Sequence, residues 1–148
     1  DKRSLTAVLI GGTSPNIGKV LISGGLTGAS PGTASSTQFL YDATSQLFTS
    51  TASLLNARGG QAAIFVPTDS VLLCGGTTDG TNPIPSCERY NASLSVGTQG
   101  PTAPMLMSRR DFGLAAITIS SITEFLAAGG ASSVPGPGGA FAETYNPN

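Results

Sequence analysis

The sequence predicts an all-β chain made of three copies of one repeat in series. Three observations predict it. Twenty Gly and ten Pro spread over 148 residues cut any helical pattern into pieces, because Gly loosens a helix interior and Pro cannot donate its N–H there. The apolar segments between them are short and rich in Val, Ile, Leu and Phe, residues that fit a pleated surface. An ordered set of features also recurs at a spacing near 50 residues, and a fixed period of that size marks a repeat architecture.

The first copy of the repeat runs from Arg3 through Leu5-Thr6-Ala7-Val8-Leu9-Ile10 and Val20-Leu21-Ile22-Ser23-Gly24-Gly25 to Phe39-Leu40-Tyr41-Asp42. The second runs from Arg58 through Gln61-Ala62-Ala63-Ile64-Phe65-Val66 and Val71-Leu72-Leu73-Cys74-Gly75-Gly76 to Cys87-Glu88-Arg89-Tyr90-Asn91. The third runs from Arg109-Arg110 through Gly113-Leu114-Ala115-Ala116-Ile117-Thr118-Ile119 and Phe125-Leu126-Ala127-Ala128-Gly129-Gly130 to Glu143-Thr144-Tyr145-Asn146-Pro147. Gly24 to Gly75 is 51 residues and Gly75 to Gly129 is 54. Leu9-Ile10-Gly11-Gly12 also ends in diglycine, but Gly24 follows Gly11 by only 13 residues, which suits a hairpin turn and not a repeat.

This order of Arg, apolar strand, strand ending in Gly-Gly and Tyr-Asp/Asn resembles the kelch repeat, and it covers nearly the whole chain. The resemblance extends to the propeller repeats of galactose-oxidase-like proteins. It implies a partial β-propeller of three antiparallel four-stranded blades, the last lacking its fourth strand, in a single segment over residues 1–148 with blades at about 3–57, 58–108 and 109–148. The repeat-structural residues are then Arg3, Arg58 and Arg110, Gly24, Gly25, Gly75, Gly76, Gly129 and Gly130, and Tyr41, Tyr90 and Tyr145. Phe48 stands where the family has Trp, seven residues after Tyr41, whereas the place after Tyr90 holds Gly97. Leu94 and Val96 are the expected substitutes for the missing ring.

Each copy supplies an inner strand after its Arg, a second strand before its diglycine, a third ending at its Tyr, and an outer fourth. The second strand is apolar on successive residues, which implies burial on both faces, as between stacked sheets. Diglycine permits a sharp turn or a close backbone approach at the strand end; a phosphate loop would need a Gly-Lys-Ser/Thr ending that is missing here. Propellers usually close with four to eight blades, so the ring is expected to need further blades. A longer chain is the favoured source; two copies would offer six blades.

Composition narrows the function. Seven Lys+Arg against eight Asp+Glu give a net charge of −1, so no basic field invites nucleic acid or anionic lipid. No apolar run approaches the roughly 20 residues that span a bilayer, and membrane insertion is not expected. Zero His removes Ser-His-Asp and Cys-His catalysis and His-ligated metal, including the copper site of galactose oxidase. Two Cys cannot build a four-Cys zinc site. No catalytic residue, metal ligand or cofactor is therefore expected. Glu88 and Glu143 each precede a repeat Tyr by two residues, on different blades, and read as structure rather than an acid–base pair. Asp79-Gly80-Thr81-Asn82 offers oxygen ligands without the spacing of an EF-hand loop. The recurring Arg either bonds carbonyls of its own or the adjacent blade, or clamps a carboxylate at the channel mouth.

What differs between copies is the connection after the diglycine: residues 26–38, 77–86 and 131–142. These loops are long, polar and nearly uncharged, and irregular backbone on one face of a repeat fold offers hydrogen bonds to a partner. Thr27, Ser30, Thr78, Asp79, Asn82, Ser132 and Ser133 are the candidate binding residues. The expected function is a non-catalytic binding or structural module for a protein or glycan. The alternatives are a scaffold segment of a larger propeller enzyme, whose active site lies in other sequence, and an intracellular kelch adaptor.

Cys74 ends the second strand of the middle copy and Cys87 lies on the third, three residues before Tyr90. Neighbouring antiparallel strands bring such a pair within disulfide reach, and the matching positions elsewhere are Ser23 with Gln38 and Ala128 with Ala142. Paired appearance in one copy favours a bond. Asn91-Ala92-Ser93 adds a glycosylation sequon at Asn91. Together these point to an extracellular or cell-surface location.

Overall fold

The computed structural model describes residues 1–119, 122–132 and 142–146. Among them there is no helix, and every sheet is antiparallel. The first sheet contains β2 (Thr6–Leu9), β3 (Val20–Ser23), β6 (Gln38–Asp42) and β7 (Leu47–Ser50), in that order. The second contains β8 (Ala62–Val66), β9 (Ser70–Cys74), β10 (Cys87–Asn91) and β11 (Thr98–Thr102). The third contains β12 (Gly113–Ile119), β13 (Ile122–Ala128) and β14 (Ala142–Tyr145). A small sheet absent from the sequence reading joins β1 (Lys2–Arg3), β4 (Leu26–Thr27) and β5 (Thr33–Ala34) inside the first loop region.

The three large sheets share one register. Val20 pairs with Tyr41, Val71 with Tyr90 and Phe125 with Tyr145. The sheets stack in chain order, with β2 beside β8 and β8 beside β12. Because strand residues alternate between faces, β9 divides its side chains between two cores. Val71 and Leu73 join Ile10, Leu21, Leu40, Leu54 and Tyr90 on the side of the first sheet. Leu72 and Cys74 join Met105, Phe125, Ala127 and Tyr145 on the side of the third. All five residues of β9 are buried, Val71 to Cys74 as their unbroken apolar run predicts.

Glycine geometry ties one sheet to the next. Gly24 and Gly25 have φ of 68° and 103°, and Gly75 and Gly76 have 67° and 93°, the left-handed region where a Cβ is penalised. The turn lets Gly25 N–H donate to Arg58 O at 2.9 Å and Gly76 N–H to Arg109 O at 2.8 Å, each in the following repeat. A second set of links was not legible in the sequence. Ser4, Gly60 and Asp111 occupy one repeat position, all at positive φ of 55°, 66° and 56°; Gly60 N–H donates to Ser4 O and Asp111 N–H to Gly60 O, both at 2.8 Å.

Two expectations are corrected. Leu94 and Val96 do not replace the missing aromatic; they are 52% and 65% exposed. The ring of Tyr90 instead lies over Gly97, where any Cβ would overlap it, so the residue seven places after Tyr90 is small because the ring takes its space. In the first sheet Phe48 does pack on Tyr41, directly across the β6–β7 pair, with ring centroids 4.7 Å apart. The hairpin expected around Gly11-Gly12 joins β2 to β3.

The other correction concerns the repeated arginine. The sheet register aligns Arg3 with Gly59 and Arg110, through their partners Leu26, Thr77 and Ala131. Arg58 therefore matches Arg109 and Lys2, one residue earlier than the sequence alignment placed it. Adjacent basic pairs, Lys2-Arg3 and Arg109-Arg110, hid the offset. The apolar pairs Leu54-Leu55 and Met105-Leu106, at equal distance before Arg58 and Arg109, are the signal that resolves it.

Candidate functional site

The most polar buried cluster of each junction is built by these aligned residues. Arg58 is fully buried and Glu88 nearly so, 2.6 Å apart. Arg58 also donates to Gly75 O at 2.9 Å and Ser86 O at 2.7 Å. Glu88 accepts from the backbone N–H groups of Leu55 at 2.7 Å and Asn56 at 3.0 Å, so one carboxylate holds the segment that arrives from the first sheet. The third repeat repeats the design. Arg109 pairs with Glu143 at 3.1 Å and donates to Gly129 O at 2.9 Å, while Glu143 accepts from Leu106 N–H at 2.7 Å and Met107 N–H at 3.3 Å. Burial pulls the Arg58 guanidinium below its ordinary range, and the Glu88 charge opposes that shift. Arg58 and Arg109 have no face open to a ligand.

Two of the three repeat tyrosines are likewise committed, while Tyr41 packs its ring on Phe48. Tyr90 OH shares a hydrogen bond of 2.8 Å with Thr51 Oγ1, and Tyr145 OH meets Thr102 Oγ1 and donates to Ala103 O. Thr51 and Thr102 follow or end the outermost strand of the preceding sheet, so each hydroxyl stitches two sheets. Burial raises both phenol pKa values above the usual 10.0.

The exposed chemistry lies in the loops after the diglycines. Arg3 donates to Gly28 O at 2.6 Å and Pro31 O at 2.9 Å, which closes the loop of the first repeat on itself. That loop then leans on the second: Ala34 N–H donates to Thr78 O at 3.4 Å, and Gly80 sits so near Pro31 O that a Cβ would collide with it. Arg110 reaches back from the third repeat to Thr81 O at 3.1 Å. Ser30, Thr78, Asp79, Asn82 and Ser132 are exposed on these loops, whereas Thr27 is half-buried and bonds Thr33 O. Ser133 lies outside the described residues.

Asp79 is not a waiting cation ligand. Its carboxylate accepts from Thr77 Oγ1, Thr81 N–H, Asn82 N–H and the Asn82 amide, at 2.7 to 2.9 Å. Those donors, led by the Asn82 and Thr81 N–H groups, hold its pKa far below the usual carboxylate range. Among the described residues no cluster of three or more Cys, Asp or Glu could hold a metal ion, and no helix is long and apolar enough to cross a membrane.

Cys74 and Cys87 face each other across β9 and β10 and form a disulfide, buried on the side of the third sheet. Asn91 ends β10, exposed, with its Oδ1 accepting from Ser93 N–H at 2.9 Å. No protein-family model matches the chain, and a search of curated proteins returns no match.

Proposed function

We propose that the three sheets are consecutive blades of a kelch-like propeller and that the protein is a non-catalytic binding module, working outside the cytosol. The blade reading is supported by the common register, the stacking in chain order, and hydrogen bonds that pass from one repeat to the next at equivalent positions. The observation that carries the function is the loop face. Loops at residues 26–34 and 77–84 brace each other and are clasped by Arg3 and Arg110, so an exposed polar surface is held without needing a ligand to order it. Preorganised polar groups of this kind favour a partner that hydrogen-bonds, a glycan or a polar protein surface. The disulfide and the exposed sequon support the extracellular location and disfavour the intracellular adaptor.

The test is binding of the purified protein to glycan and secreted-protein arrays, with Ser30→Ala, Thr78→Ala and Asn82→Ala combined. Loss of a captured ligand in the triple variant, with retention in a Thr44→Ala control in the turn between β6 and β7, supports the loop face. Equal binding by both variants would overturn it.

A further inference from the structure

The two internal junctions bury the same positions. In the second sheet Val71, Leu73 and Tyr90 are 0% exposed, covered by Ile10, Leu21 and Leu40 with Val8 beside them. In the third sheet the aligned Phe125, Ala127 and Tyr145 are covered by Val66 and Leu72 with Ile64. Alternation along the strands puts the equivalents in the first sheet, Val20, Ile22 and Tyr41, on its outward face. Two cross-strand rows make that face largely apolar: Ala7, Ile22 and Phe39, ending at Ser50, then Leu9, Val20, Tyr41 and Phe48. Leu9 and Phe48 are each 62% exposed, and among the described residues no other large sheet packs there.

The opposite end of the stack carries the covering half. Ala115, Ile117 and Leu126 of the third sheet align with Ile64, Val66 and Leu72, the residues that cover the second junction, and they point away from the second sheet, with Glu124 beside Ile117 and Thr144 beside Leu126 on the same face. One chain therefore presents both halves of a junction it makes twice internally. The first sheet also differs where the internal junctions hold a connecting segment. Phe39 stands where Glu88 and Glu143 stand in the other sheets, and Lys2 stands in place of Arg58 and Arg109, its Nζ donating to Ser35 and Thr37.

We propose that the outward face of the first sheet docks the outward face of the third sheet of a second copy of this chain, head to tail. The proposal rests on the equivalence of the sheets as blades, and it does not depend on what the loops bind. A contiguous apolar sheet face of this kind is the usual mark of an interaction surface, and unlike halves make the contact heterologous.

Sedimentation velocity over a range of concentrations tests it, with Ile22→Asp on one face, Leu126→Asp on the other, and Phe48→Ser at an exposed site that does not endanger folding. The wild-type protein is expected to associate. Each Asp variant should weaken association at least about tenfold, because a charge would be buried unpaired, and Phe48→Ser should shift it in the same direction. Mixing the two Asp variants should restore a dimer, since one intact junction remains; a misfolded variant could not do this. A wild-type protein that stays monomeric throughout overturns the proposal. So does an effect of Ile22→Asp with none of Leu126→Asp, which would mean a face pairing with itself. Loop variants that lose ligand but still associate would separate this proposal from the function above.

Discussion

Arg58 and Glu88 illustrate what a single buried charge pair does here. The pair is out of water, yet each partner also holds backbone groups, so its loss is felt in two chain segments at once. Glu88→Ala leaves a buried guanidinium without its counter-charge and two N–H groups of Leu55 and Asn56 without an acceptor; about 3–5 kcal/mol of stability should be lost. Denaturant titration measures it, and a change under about 1 kcal/mol would contradict the role assigned. Gly97→Ala is a second case, where added bulk meets the Tyr90 ring; a cost of about 1–3 kcal/mol is expected from overpacking. An unchanged unfolding midpoint would mean that the ring does not sit there. The tyrosines add a pH dependence. Their folded pKa values lie above the unfolded value near 10, so the stability they confer is intact below that pH and is lost as pH rises toward the folded values. Unfolding followed by phenolate absorbance should show stability declining above about pH 10. A flat profile there would mean the hydroxyls are already solvated.

At the scale of the strand, the hairpin of β9 and β10 is the best-fastened element. It is buried along β9, and its end is closed by Cys74–Cys87 with a sequence separation of 13. Reduction or a double Cys→Ser substitution should cost about 3 kcal/mol in the chain-entropy model, read as a lower unfolding midpoint with reductant than without. The hairpin was legible in the sequence for physical reasons: an unbroken apolar run announces two buried faces, and two cysteines found only in this copy announce their partner. The small sheet of β1, β4 and β5 was not legible. Its strands are two residues long, too short to carry any alternation, and they exist because Arg3 gathers the loop around its guanidinium. The offset of the arginines was hidden for a related reason, since neighbouring basic residues look alike until the sheet register separates the buried one from the exposed one.

At the scale of the molecule, stability comes from junctions more than from any one sheet. The second sheet is covered on one face and covers on the other, and the links at Ser4–Gly60–Asp111 and at the diglycines repeat from junction to junction. A stack of this kind behaves as a series of units coupled to nearest neighbours. The period and the landmark Gly and Tyr residues made the series legible in the sequence; how the loops lean on one another was not, because Gly80 against Pro31 is a contact between irregular segments that follows no periodic rule. The sheets meet in chain order through two shared cores, one on each face of the second sheet. Methyl- and aromatic-resolved nuclear Overhauser spectroscopy on the intact, oxidised protein tests it most directly. Cross-peaks are expected to join Val71, Leu73 and Tyr90 to Leu21, Leu40 and Leu54, and others to join Phe125 and Tyr145 to Leu72 and Met105. Contradiction would be a spectrum in which Tyr90 sees only residues of its own sheet.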